Sequence, residues 1–258
     1  MRTLLAALAL FTLGLSESRA QVTGKLWDQD QLSNVTVMLY QPESDTSGLI
    51  GSGTIVSGDS LFYIFTASHV ARVMDRNAKV IFRMPGDKPG IVNLPDLVPD
   101  STTHWQFHKV ADIAMIRLSP PSNILMTRLH TWSFPLSQVN FSKDLPTRDA
   151  DLTFFGYPVV DLEMEHFSPL VFTAYLASGL NTQLRYDTRT KCNFFFLNVP
   201  SIQGCSGSGV YFSVAKGMYY GGNTTVLIGI VHGTQGDNTG GKLAAITPSY
   251  YIRDFFVK

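Results

Sequence analysis

The sequence is short of cysteine, of charge and of long apolar runs. Only 2 of its 258 residues are cysteine, Cys192 and Cys205, which excludes a disulfide-dense scaffold and a cysteine-rich metal cluster. There is no Cys-x-x-Cys pair. The nearest approach to a metal-ligand spacing is His104 with His108, which has no carboxylate partner and reads as surface or structural. Neither a metal nor a cofactor is expected. Charged residues amount to 16% and sum to +0, and no basic run is interleaved with aromatics, so nothing argues for nucleic acid or an anionic membrane as partner. One apolar run, Leu4 to Leu15, follows Arg2 and precedes the small residues Ser18 and Ala20. It is shorter than the roughly 20 residues of a spanning helix. It predicts an export signal over residues 1–20, a mature chain from about Gln21 with no membrane span, and a secreted or periplasmic location.

Helical periodicity is scarce as well. At 45% hydrophobic, the chain can bury a substantial core, and it does so through short β-rich runs broken by Gly, Pro, Asn and Asp. Val35–Tyr40, Gly53–Val56, Leu61–Thr66, Lys79–Met84 and Ile113–Leu118 fill the first half. Leu152–Phe155, Val171–Ala177, Asn193–Asn198, Val210–Val214 and Val226–Val231 fill the second. Between them, Ser119–Pro135 has three prolines and little alternation, as a connection would. At the end, Thr247 can cap a helix, Pro248 suits its first position, and Ile252, Phe255 and Phe256 share a face. The chain therefore reads as all-β with a C-terminal helix. Two barrels and one large sandwich both fit that pattern.

One stretch asks for chemistry. Residues 203–210 read "QGCSGSGV", a serine set among glycines. A serine hydroxyl is a weak nucleophile until a base takes its proton, and the base works better when a carboxylate orients it. Two settings suit those tasks. "YIFTASHVA" places His69 just after a β-rich run, and "VADIAMIRL" places Asp112 at the head of an apolar strand. A carboxylate leading a buried strand needs a partner, and an imidazole N–H is a suitable one. An α/β-hydrolase elbow is set aside, because G-x-S-x-G fails at Ser208 and the order Ser…Asp…His is reversed.

These residues resemble the motifs of the trypsin-like, chymotrypsin-fold serine peptidases, bacterial type. Thr66-Ala67-Ser68-His69 is similar to the motif of the general base, Asp112-Ile113-Ala114 to that of the orienting aspartate, and Gly204-Cys205-Ser206-Gly207 to that of the nucleophile. "GSGTIVS" (51–57), "FFGYP" (154–158) and "LIGIVHG" (227–233) extend the resemblance over nearly all of the mature chain, with some similarity to glutamyl endopeptidases.

The resemblance implies two six-stranded antiparallel β-barrels. Residues 21–125 would carry His69 and Asp112, and residues 126–258 would carry Ser206 and the terminal helix. It implies a secreted serine endopeptidase acting on polypeptides, and a monomer. Ser206 would attack, His69 would shuttle the proton, and Asp112 would hold the imidazole. The N–H groups of Gly204 and Ser206 would form the oxyanion hole. If Ser208 were the nucleophile instead, Ser206 would stand where the hole needs glycine. Digestive members carry an aspartate where Cys205 stands, so their activation switch is not expected.

Substrate-binding positions implied in the same way are Pro200, Ser201, His232, Gly233 and Thr234. Pro200 stands where trypsins carry the aspartate that selects a basic P1 residue, so a basic preference is not expected. His232 is either an acidic-side-chain reader, with Thr234, or a wall residue near Asp112. Cys192 and Cys205 are either bridged or two free thiols. The rival reading is a latent or inactive binding protein on the same fold. It is disfavoured because neither a triad residue nor an oxyanion glycine is missing.

Overall fold

Apolar stretches bounded by Gly, Asp and Pro become strands, and the strands sort into two sheets. The computed structural model describes residues 24–44, 47–100, 102–119, 122–158, 166–213 and 224–257. The expected export signal and the start of the mature chain lie outside these residues.

The first sheet contains β1 (Thr36–Pro42), β2 (Gly48–Gly58), β3 (Leu61–Thr66), β4 (Lys79–Met84), β5 (Lys88–Asn93), β6 (Gln106–Phe107) and β7 (Ala114–Leu118). Their order is β5-β4-β1-β2-β3-β7-β6, and β8 (Phe134–Pro135) pairs with β2. The second sheet contains β9 (Leu152–Gly156), β10 (Leu170–Ala174), β11 (Asn181–Leu184), β12 (Lys191–Leu197), β13 (Gly209–Ser213), β14 (Thr225–Gly236) and β15 (Lys242–Pro248). Its order is β10-β9-β13-β14-β15-β12-β11. Among the described residues, every pairing between these strands is antiparallel except the short β2–β8 contact. The architecture is all-β and divided between two antiparallel sheets, as expected, but the sheets hold eight and seven strands rather than six each.

Local turn chemistry follows familiar rules. Gly58 pairs with Leu61, which leaves Asp59 and Ser60 as a two-residue hairpin loop, and both have positive φ (50° and 63°). That is the primed turn whose twist matches the flanking strands.

Among the described residues, α-helices are few and short: α1 (Gln29–Val35), α2 (Ser68–Ala71), α3 (Leu94–Leu97) and α4 (Asn123–Thr131). Three of them, α1, α3 and α4, were not visible as helices in the sequence pattern. α1 is fixed by a capping box between Asp28 and Gln31. α4 occupies the stretch read as a plain connection, and the Ser122 side chain caps it by accepting from the Leu125 N–H at 3.2 Å. The C-terminal helix is a 3-10 helix over Ser249–Phe255. Thr247 is paired with Ile230 in the β-ladder and Pro248 ends β15, so neither has the role expected of it.

The main core joins the two sheets. Phe65 and Phe134 from the first pack in one cluster with Phe155, Tyr211 and Ile230 from the second. The Phe134 ring lies 5.5 Å from Trp27 and 5.1 Å from Tyr211. Each sheet also has its own cluster, around Ile64 and Phe82 in the first and around Phe154 and Phe195 in the second. The segment before α1 is clasped to the second sheet. The Trp27 N–H donates to Thr225 Oγ1 at 2.9 Å. The Gln138 amide donates to the carbonyls of Lys25 (2.8 Å) and Thr225 (2.6 Å) and accepts from the Lys25 N–H.

The alternative of a Cys192–Cys205 bridge is corrected by the structure. Both cysteines are buried free thiols, and they belong to different clusters: Cys192 packs in the shared core and Cys205 in the second sheet's own core.

Candidate active site

The serine turn is built on two glycines in the left-handed region. Gly204 and Gly207 both have φ of +94°. A side chain at Gly204 would collide with the Tyr157 carbonyl, and one at Gly207 with the Ser52 carbonyl and Thr66 Oγ1. Only glycine meets both demands at once. Within the turn, Cys205 N–H donates to the Ile202 carbonyl at 3.0 Å and Ser208 N–H to the Cys205 carbonyl at 3.1 Å. Gly207 N–H donates to the Val231 carbonyl at 2.8 Å. Among the described residues, the N–H groups of Gly204 and Ser206 have no protein acceptor.

Ser52, from "GSGTIVS", latches this turn to the first sheet. Its hydroxyl donates to the Gly204 carbonyl at 2.7 Å, and its N–H donates to the Ser206 carbonyl at 2.8 Å. It is fully buried. The sequence singled out the stretch, but not this task. Ser208 is buried too, and its hydroxyl accepts from the Phe155 N–H at 3.1 Å, so it is held inside the fold.

Asp112 sits at the entrance to β7 and is completely buried. The turn before it is shaped by His108, whose Nδ1 accepts from the N–H groups of Val110 and Ala111. His69 lies in α2, which Ser68 ties to the residue just before β7 by donating to the Ile113 carbonyl at 2.8 Å. The His69 N–H meets Asp112 Oδ1 at 3.1 Å, and its Nδ1 meets Oδ2 at 2.8 Å. The ring is 36% exposed, so one edge faces solvent.

A second imidazole reaches the same oxygen. His232 Nδ1 lies 2.5 Å from Asp112 Oδ2, and its ring stands edge-on to His69 at 5.5 Å. His232 is an extra residue in β14: Val231 pairs with Ile246 and Gly233 already with Ala245. Such a bulge re-aims one side chain. It is why counting faces along the strand does not place this histidine.

Arg185, just past β11, is 2% exposed and closes the rear of the cluster. Its Nη2 meets Asp112 Oδ1 at 3.0 Å, and its Nη1 donates to the carbonyls of Val110 (3.1 Å) and Ala111 (2.7 Å). Asp187 holds the other edge of the guanidinium through Nε (2.9 Å) and Nη2 (2.6 Å). No motif marks Arg185 in the sequence.

Burial alone would push the Asp112 carboxyl up. The hydrogen bonds from His232 and His69, and their charges, outweigh it and hold the group well below the usual carboxylate range. Burial pushes the Cys192 thiol up to about 11 and raises Cys205 as well, so both stay protonated at neutral pH.

The structure thus joins His69, Asp112 and His232 directly and brings Ser206 to their edge. The Ser206 hydroxyl donates to the His232 carbonyl at 2.9 Å. Of the remaining sequence candidates, Ser201 and Thr234 bond to each other through their hydroxyls (2.9 Å), Gly233 lies beside Ser206, and Pro200 is exposed. Among the described residues, His69, Asp112 and His232 are also the set with ligand atoms close enough for a metal. A cation there would have to displace both Nδ1 protons and face the Arg185 guanidinium, so we read the set as a hydrogen-bonded cluster.

Two solved structures share this arrangement of sheets. The Rv3671c protease from M. tuberculosis in its active form has a TM-score of 0.53 at 15% identity, over 87% of this chain and 80% of that one. The inactive form of Rv3671c protease gives the same score and identity over 87% and 88%. The fold is chymotrypsin-like. No protein-family model matches the chain, and no curated protein matches it. These two structures lend no support to the finer similarity to glutamyl endopeptidases. In the chymotrypsin-like fold of this chain, the buried carboxylate comes from the first sheet and the serine turn from the second, and the shared core holds the two together.

Proposed function

We propose that the protein is a secreted serine endopeptidase that hydrolyses polypeptides through Ser206, His69 and Asp112. The observation that carries this reading is the pairing of a buried, ionised Asp112 with His69 Nδ1 beside a serine turn that has two free N–H donors. Asp112 fixes the tautomer that leaves His69 Nε2 as the basic nitrogen. Ser206 turns from the His232 carbonyl to His69, gives up its proton and attacks the scissile carbonyl. The Gly204 and Ser206 N–H groups receive the oxyanion, an effect worth about 3–4 kcal/mol per donor in such sites. His69 then protonates the leaving amine, and water completes the cycle through the same base.

The residues set for the P1 side chain are Pro200, Ser201, Gly233 and Thr234. None of them brings a carboxylate, which supports a non-basic preference. The engagement of His232 with Asp112 favours the wall role over the reading of an acidic side chain.

Labelling with a fluorophosphonate probe tests the reading. Wild type and Ser208→Ala react, while Ser206→Ala and His69→Ala lose labelling. Folded wild type that does not react sinks the peptidase reading and favours a binding protein on this fold.

A further inference from the structure

Among the described residues, Arg185 is the one fully buried cation at the site, and its hydrogen bonds go to Asp112, Val110, Ala111 and Asp187 and not to the serine turn. The triad chemistry leaves it without a task. Its contacts suggest one. Asp112 has two oxygens and four partners: Oδ1 receives Arg185 Nη2 and the His69 N–H, and Oδ2 receives both imidazoles. An uncharged donor behind Oδ1 would leave the carboxylate free to swing toward one histidine and abandon the other. A planar guanidinium has a fixed fork of donors. This one is itself held at four points, by the carbonyls of Val110 and Ala111 and by both oxygens of Asp187.

We propose that Arg185 is a positioning residue that locks the Asp112 carboxylate in plane, so that Oδ2 can hold His69 and His232 together. The proposal rests on the triad reading for its effect on rate, but its structural content is independent of that reading.

The charges around the carboxylate support the assignment. Asp112 and Asp187 contribute two negative charges and Arg185 one positive, so the group carries one net negative charge while both imidazoles are neutral. It becomes neutral when one imidazole gains a proton, and only a second proton gives it an excess positive charge. The charge of the cluster is therefore balanced when His69 takes the nucleophile's proton, as a general base must during turnover. Cys192 and Tyr251 pack nearby, and burial pushes both acidic groups up, so they stay neutral and leave this balance unchanged. Without Arg185 the same group would carry two uncompensated negative charges, the carboxylate would lose its anchor, and His69 would no longer be held in one orientation.

The test uses Arg185→Met, Arg185→Lys and Asp187→Asn, each checked for fold by circular dichroism. The first readout is the pair of low-field Nδ1–H proton resonances of His69 and His232. Wild type gives both signals. In Arg185→Met at least one disappears into solvent exchange, and Arg185→Lys restores it partly. The second readout is turnover. Arg185→Met lowers kcat about 10- to 100-fold with KM nearly unchanged, and shifts the acid limb of the kcat profile. A folded Arg185→Met with both resonances and an unaltered pH profile overturns the proposal, even if its melting temperature falls.

Should Arg185→Met not fold, Asp187→Asn decides. Asp187 is partly exposed and only steadies the guanidinium, so the fold tolerates its loss. Broadening of the histidine signals supports the lock, and unchanged signals overturn it. A wild type that shows the resonances but neither turnover nor probe labelling would refute the peptidase reading while leaving the lock testable by the resonances alone.

Discussion

At the scale of single residues, the site is organised around one carboxylate. Asp112 is buried, yet its hydrogen bonds from two imidazoles keep it ionised far into the acid range. A carboxyl whose folded pKa lies below its unfolded value of about 3.9 stabilises the fold above that value. The stabilisation fades as the pH falls further. Between about pH 5 and 2, wild type therefore loses stability more steeply than Asp112→Asn, which has no such group to titrate. Urea midpoints measured across that window check it, and parallel curves for the two proteins contradict it. Asp112 and His69 were legible in the sequence because their flanking motifs are local. Arg185 was not, because Asp112 and Val110, which it holds, lie 73 and 75 residues away, and its near partner Asp187 reads as an ordinary loop carboxylate.

At the scale of elements, the serine turn depends on backbone geometry more than on side chains. Gly207 and Gly86 both have positive φ, but only Gly207 has neighbours where a side chain would go. Gly86→Ala suffers dihedral strain alone, of order 1–3 kcal/mol, and keeps wild-type activity. Gly207→Ala meets the Ser52 carbonyl and Thr66 Oγ1 and displaces the turn. A shift near 1 Å is enough to lower activity about 100-fold. Steady-state rates for the two variants, beside their melting temperatures, separate strain from displacement, and equal activity would refute the argument. Elements also show where sequence patterns stop informing. Ten of the strands were readable from alternation and turn residues, but β5, β6, β8, β11 and β15 were not. α4 was hidden by the prolines around it, and the His232 bulge by the rule that neighbouring strand residues face opposite ways.

At the scale of the whole molecule, the two sheets are not independent. Phe134, Tyr211 and Phe155 belong to a single buried cluster, and the clasp of Lys25 and Trp27 on Thr225 and Gln138 adds polar contacts across it. Neither sheet can leave the other without exposing that surface. Unfolding is therefore one cooperative transition, with tryptophan fluorescence and far-ultraviolet circular dichroism giving the same midpoint. Two separated transitions would count against a shared core. An all-β chain was legible from the rhythm of strands and its division in two only from the resemblance, while the mutual burial of the halves was not, since no local pattern says which of two apolar faces meets the other.

The clasp also sets an order of events. Trp27 and Thr225 are 198 residues apart, so the residues that emerge early from the ribosome must wait for a partner made near the end of synthesis. Domains made first often fold first. Here the first sheet can form early, but the bond of Trp27 to Thr225 that completes its leading clasp cannot form until β14 exists. Closing that fastening is a late step, and a chain stalled before Thr225 exposes the apolar face that Trp27 covers in the finished protein.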